Sequence, residues 1–305
     1  SCDVSGTGAA DFARCCIAED AFGCDVVARQ LPVQVYRAGG AANPFNVETL
    51  DLASSAGTYT NLYAWPNEGV PAIDNGQSSA NQYNVNTCAI SPLTQILYCV
   101  VRFTDGGWAY LARVTDHDPD TNTFTNTASL RYVAKVSHGN SAAFDSAGNF
   151  WMKSDGGRTR RLLTSEVDEQ PGHTHANINN VLDRYPTATV NNYISWGADM
   201  VPYKADLGRG ADTEYLVSMN RGNTGNTIIR VFPVADDAST YFPCTPCTYR
   251  DLTENNIETG TTTQLPRFWG AAWNYEGRLF FAANTGAGVH EVSFTKAQFD
   301  AGEYT

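Results

Sequence analysis

Along nearly the whole chain, short apolar runs alternate with clusters of Gly, Asn, Asp and Pro. Val33-Gln34-Val35-Tyr36, Tyr110-Leu111-Ala112-Arg113-Val114, Tyr215-Leu216-Val217-Ser218-Met219 and Ile228-Ile229-Arg230-Val231-Phe232 are examples. Runs of this length, rich in β-branched and aromatic residues and bounded by turn formers, predict strands. A 3.6-residue apolar period is suggested only over Asp11 to Ile17 and over Lys296 to Gly302. The pattern predicts an all-β fold: a sandwich, a barrel or a propeller.

A recurrence within the chain selects among these. A small residue, Ala and an apolar residue are followed by a turn and an apolar strand. The pattern occurs at Cys88-Ala89-Ile90 with Ile96-Leu97-Tyr98, and at Ala142-Ala143-Phe144-Asp145 with Gly148-Asn149-Phe150-Trp151-Met152. It returns at Gly197-Ala198-Asp199-Met200 with Tyr215-Leu216-Val217, and at Gly270-Ala271-Ala272-Trp273 with Gly277-Arg278-Leu279-Phe280-Phe281. Ala89, Ala143, Ala198 and Ala272 stand about 54, 55 and 74 residues apart, the long interval holding an insertion around Cys244 and Cys247. A hairpin-built repeat of this length predicts a β-propeller with small residues on the innermost strands. Five blades are favoured, with six or seven as alternatives. The expected boundaries are a Cys-rich cap over residues 1–30 and the propeller over 31–305. The first unit, Val33–Tyr36 with Asn46–Leu50, lacks a clear copy of the inner strand. That predicts closure of the ring by pairing of N-terminal strands into the last blade, which removes exposed edges.

Val47-Glu48-Thr49-Leu50-Asp51-Leu52 and Asn86-Thr87-Cys88-Ala89-Ile90-Ser91-Pro92-Leu93-Thr94-Gln95-Ile96-Leu97-Tyr98 carry a resemblance. With the surrounding segment Gln34 to Val101, they resemble a family of extracellular β-propeller domains of unknown function. Such domains occur in bacterial cell-wall adhesins and in algal and protist surface proteins. The resemblance implies a propeller in an extracellular setting and implies no catalytic residue. The Cys88/Cys99 pair and the Cys-rich start depart from the family pattern.

The eight cysteines sharpen the compartment. Cys2, Cys15, Cys16, Cys24, Cys88, Cys99, Cys244 and Cys247 are even in number and grouped, as in a disulfide framework of an oxidising compartment. A hairpin turning about Leu93-Thr94 sets Cys88 opposite Cys99, within bonding reach. Cys244-Thr245-Pro246-Cys247 lies in a Pro-broken segment and reads as a loop disulfide, not a redox or zinc motif. The start at Ser1-Cys2 is read as a removed signal peptide or a fragment. No N-x-[ST] sequon occurs, so either the source lacks N-glycosylation or decoration falls on Thr and Ser.

The formal net charge is −12 over 305 residues, which disfavours a nucleic-acid partner. No apolar run is long enough for a membrane span. Candidate chemistry is sparse. Asp116, Asp118, Asp120 and Asn122 place oxygen ligands at alternate positions, like the start of a calcium loop; without the Gly and Glu such a loop requires, a polar turn is the competing reading. His173 and His175 suggest a metal pair or a solvated loop. Arg158, Arg160 and Arg161 suggest an anion grip or a solvent face. Asp145, Asp199 and Glu276 are candidate glycosidase acids, the first two placed in inner hairpin turns. Six tryptophans (Trp65, Trp108, Trp151, Trp196, Trp269 and Trp273) suggest sugar stacking if exposed, or packing between blades. No complete catalytic motif stands out. The reading is a non-catalytic extracellular structural or adhesive module, without a cofactor unless calcium binds. Its partners would be other extracellular chains, copies of itself or glycans. A lectin-like propeller and a secreted hydrolase are the alternatives.

Overall fold

A computed structural model describes residues 33–36, 46–51, 58–64, 83–94, 96–103, 109–115, 117–118, 123–124, 130–136, 141–153, 159–173, 175–183, 199–208, 213–221, 227–234, 250–254, 269–275, 277–283 and 288–304. These residues are mostly strands in several sheets, with few helices. The Cys-rich cap, with Cys2, Cys15, Cys16 and Cys24, lies outside the described residues, as do Cys244 and Cys247. Two compact units emerge: residues 1–138 with 164–186, and residues 139–163 with 187–305.

The first unit holds two sheets. Val33–Tyr36, Asn46–Asp51 and Thr58–Ala64 form an antiparallel sheet of their own, in place of the expected pairing into a last blade. The second sheet runs through Tyr83–Ile90, Leu97–Phe103, Ala109–Val114 and Leu130–Val136, antiparallel throughout. Its first hairpin is fixed locally. Ser91 N–H donates to Ile96 O at 3.0 Å, and the Ser91 hydroxyl accepts from the Leu93 and Thr94 amides at 3.3 and 3.4 Å. Cys88 pairs directly with Cys99, and the two are disulfide-bonded. A register shift between Asn86 and Cys88 is taken up by Thr87, which sits in the left-handed region at φ 62°.

Residues 164–183 close over this second sheet. Asp168, just past the short helix Thr164–Val167, accepts from the Tyr98 hydroxyl at 2.6 Å and from Ser91 Oγ at 3.0 Å. Arg113 donates to the carbonyls of Asp168 and Pro171 at 3.3 and 3.1 Å. His173 and Tyr132 exchange both backbone hydrogen bonds at 2.8 Å, and Leu182–Asp183 adds a parallel strand beside Ala134–Lys135. Gly172 is required here: its φ is +70°, and a Cβ would stand 2.7 Å from Arg131 Cβ.

The second unit holds three sheets. The first is Ser141–Phe144, Phe150–Lys153 and Thr159–Leu162. The next is Met200–Lys204, Glu214–Arg221, Thr227–Pro233 and Arg250–Glu254, with Glu303–Tyr304 added in parallel at its edge. The last is Trp269–Tyr275, Arg278–Ala283 and Val289–Val292. The opening strands of the three sheets neighbour one another in sequence order. Sheets covered on both faces need apolar residues on both, which explains why Tyr215 to Met219 is a continuous buried run instead of an alternating one. Val217, Met219, Ile229, Val231, Leu252, Phe281 and Tyr304 share one core.

Two turns of this unit repeat one spacing. The Asp145 carbonyl accepts from Gly148 N–H and the Asn274 side chain accepts from Gly277 N–H, each at 3.0 Å, with the glycines at φ 81° and 78°. An Asp or Asn three residues before a left-handed Gly is a turn signal readable from sequence. The helix Lys296–Ala301 is likewise encoded locally. Thr295 and Gln298 form a capping box, and Gly302 closes the other end at φ 79°.

The hairpin predicts that non-reducing peptide mapping recovers Cys88 linked to Cys99. Replacing both by Ser should lower stability by about 2–4 kcal/mol in chemical denaturation, and recovery of either as a free thiol would contradict the register.

Candidate functional site

Of the acids named from the sequence, Asp145 is spoken for. It is 1% exposed. Its Oδ1 accepts from the Asn149 amide at 2.8 Å, and its Oδ2 accepts from Asn149 Nδ2 at 2.9 Å and from Trp151 Nε1 at 2.8 Å. A carboxylate satisfied by three donors in the core is a structural anchor. Trp151 is fully buried, with the Arg161 guanidinium 5.4 Å from its ring centre, so it offers no face for a sugar. Arg160 and Arg161 are also buried, which corrects their reading as a solvent face; Arg158 lies outside the described residues. Trp273 stacks on Phe280 at 12°.

Asp199 is placed differently from its sequence reading. It stands immediately before the strand Met200–Lys204, not in a hairpin turn. Aligning Ala198 with Ala143 put it in the wrong place, because Ala143 lies inside its strand and Ala198 precedes the next sheet's first strand. Two ties set Ser141–Phe144 and Met200–Lys204 side by side in the same direction. At their starts, Lys153, paired with Ser141, interacts electrostatically with Asp199. At their ends, Ser146 N–H and Oγ donate to the Glu214 carboxylate at 2.9 and 2.7 Å, and Glu214 pairs with Lys204. Asp145 and Asp199 therefore lie at opposite ends of these strands. Four residues of strand put them roughly 13 Å apart along the chain direction. They do not form a catalytic pair of acids.

What gathers at the strand starts is Ser141, Lys153 and Asp199. Lys153 and Asp199 are half-buried residues. Burial pushes the Asp199 carboxyl up to about 7, against the pull of the Lys153 charge. Burial also pushes the Lys153 amine down, the Asp199 charge opposing it. Ser141, facing Lys153 across the hairpin, is 1% exposed and its hydroxyl has no hydrogen-bond partner among the described residues. Sequence reasoning named Asp199 and missed the other two. The signal available was a serine opening a strand that pairs antiparallel with one ending in lysine.

The remaining candidates lie largely outside the described residues. His117–Asp118 and Thr123–Phe124 form a two-stranded hairpin. Asp116, Asp120, Asn122 and the Asp118 side chain lie outside the described residues, as do Glu276, Trp65, Trp108 and Trp196. His173 is half-buried in the bridge to Tyr132, and the His175 side chain is outside the described residues. Among the described residues no group of three metal-ligating side chains occurs, and no helix is long and apolar enough to cross a membrane.

No protein-family model and no curated protein matches the chain. Solved structures do resemble it. A glucose dehydrogenase aligns over 89% of this chain and 79% of its own, at TM-score 0.44 and 11% identity. The soluble aldose sugar dehydrogenase of Escherichia coli aligns over 88% of this chain and 78% of its own, at 0.40 and 12%. The RS223 β-xylosidase aligns over 90% of both, at 0.40 and 9%. Identities and TM-scores this low assign this chain no activity. The expectation of a non-catalytic structural or adhesive module stands against these neighbours, all three of which are named as enzymes.

Two outcomes follow from the assignments above. Asp145→Ala leaves the Trp151 and Asn149 donors unpaired and should cost about 3 kcal/mol or more of stability in denaturant titration. The Asp199 carboxyl has a folded value above its unfolded one, so the folded state holds the extra proton between about pH 4 and 7, and stability declines as pH rises through that window. Thermal melts should therefore show Asp199→Asn matching the parent near pH 4.5 and exceeding it near pH 8. A parent that gains on the variant as pH rises would reverse the assignment.

Proposed function

We propose that this chain is an enzyme whose chemistry is acid–base catalysis at the Lys153–Asp199 pair. The observation that carries the reading is the meeting, at the starts of two neighbouring strands, of an acid and an amine that burial pushes toward neutrality. A carboxyl titrating near 7 can give up and recover a proton at ordinary pH, which an exposed carboxylate cannot. Asp199 is the proton donor, and Lys153 is the second group, steadying the Asp199 carboxylate when the proton has left. The two-carboxylate arrangement of a glycosidase is not favoured, because the charge acting on Asp199 among the described residues is that of Lys153.

We read each of the five multi-stranded meanders as one propeller blade, and the Cys88–Cys99 bond supports folding in an oxidising compartment. Sugars, the substrates named for the neighbouring structures, are the first compounds to test.

The test is a turnover screen of the purified chain on reducing sugars with an electron acceptor, on glycosides and on esters. The expected result is activity that Asp199→Asn lowers by about 10²–10⁴-fold, with one limb of the pH profile near 7. Absence of turnover on every class, or full activity in Asp199→Asn, would refute the reading.

A further inference from the structure

The three side chains at the strand starts are a base, an acid and an unpaired hydroxyl, and together they suit one reaction better than simple proton transfer. Lys153 projects from the end of Phe150–Lys153, directly across from Ser141. Cross-strand partners hold their Cβ atoms about 4.5–5.5 Å apart on one face of the sheet. Ser141 Oγ is buried without a partner among the described residues, which leaves its hydroxyl a donor to spare. Asp199, just before the first strand of the neighbouring sheet, acts electrostatically on the same amine.

We propose that Lys153 is a carbonyl-capturing amine that forms an imine with small aldehydes, open-chain aldoses included, with Asp199 as proton donor and Ser141 as hydrogen-bond donor to the carbonyl oxygen. The proposal rests on the acid–base reading of the pair and adds a covalent step to it. The Nζ lone pair forms a bond to the carbonyl carbon as the C=O π bond breaks, and the oxygen takes one of the two amine protons to give a hydroxyl. Asp199 then gives its proton to that hydroxyl, which leaves as water. The carbon–nitrogen double bond forms, and nitrogen returns a proton to Asp199. The released water carries one amine proton and the Asp199 proton, the second amine proton restores Asp199, and no oxidant or reductant is consumed. The partial burial that favours the neutral amine also makes Lys153 a competent nucleophile, while its remaining exposure admits a small molecule.

The chain has four lysines, Lys135, Lys153, Lys204 and Lys296, so each can be followed by mass spectrometry. Lys204 is exposed and Lys296 is exposed in an ion pair with Asp300, and both serve as internal references. Glyceraldehyde with cyanoborohydride at pH 7 should fix its adduct on Lys153 severalfold faster than on Lys204 or Lys296, because burial favours the neutral, nucleophilic amine. Asp199→Asn should slow this trapping severalfold without slowing acetylation of Lys153 by acetic anhydride, which needs no acid. Ser141→Ala should slow trapping and Ser141→Thr should retain it. Labelling of Lys153 no faster than the reference lysines overturns the proposal. Equal slowing of trapping and acetylation in Asp199→Asn overturns the role given to Asp199. Turnover in the sugar and ester screen without preferential trapping would remove the imine and leave acid–base catalysis standing, whereas preferential trapping without turnover would do the reverse.

Discussion

The buried Asp145 carboxylate is the interaction on which the candidate site depends. It gathers the Asn149 amide, the Asn149 side chain and the Trp151 indole around one turn. With that turn fixed, Phe144 must face Phe150, and the register runs back without a shift to Ser141 opposite Lys153. A one-residue slip would send every side chain of Phe150–Lys153 to the other face of the sheet. Lys153 would then point away from Ser141 and Asp199. An acid examined as a catalyst thus acts at the far end of the hairpin, by deciding which residues meet at the near end.

Much of the fold was legible in the sequence because it is written in local chemistry. The Cys88–Cys99 hairpin followed from symmetry about Leu93-Thr94, and the structure adds the Ser91 hydroxyl that holds the turn. The helix at Lys296–Ala301 carries its own caps. The strand-rich reading survived because β-branched and aromatic runs between turn residues have few other uses. What was not legible depends on distant packing. The charge of Arg160 and Arg161 suggests an anion grip or a solvent face, yet both are buried, Arg161 against Trp151. Residues 164–183 carry no periodic signal, and their place over the second sheet comes from single contacts such as Asp168 with Tyr98.

The site itself was half legible. Asp199 was singled out, but the repeat alignment that singled it out anchored on alanines whose positions relative to their strands differ. Lys153 looked like an ordinary strand end and Ser141 like a strand start. Their significance arises only from register, and the meeting with Asp199 only from two first strands lying together in one direction. A search for motifs contiguous in sequence could not find a constellation spread over 59 positions and two sheets. This is also why the absence of a catalytic motif was a poor argument for a non-catalytic protein.

The route of the chain between its two compact units has a consequence for how the protein is made. Residues 1–138 belong to the first unit, 139–163 to the second, 164–186 to the first again, and the remainder to the second. During synthesis, the three strands from Ser141 to Leu162 leave the ribosome before Asp168 and His173 are available to finish the earlier unit. Those strands must then wait for Met200–Lys204 before their neighbouring sheet exists. The first unit therefore completes itself across an unfinished piece of the second, and no single cut in the gene separates the two. Neither unit could be moved into another gene as one contiguous cassette.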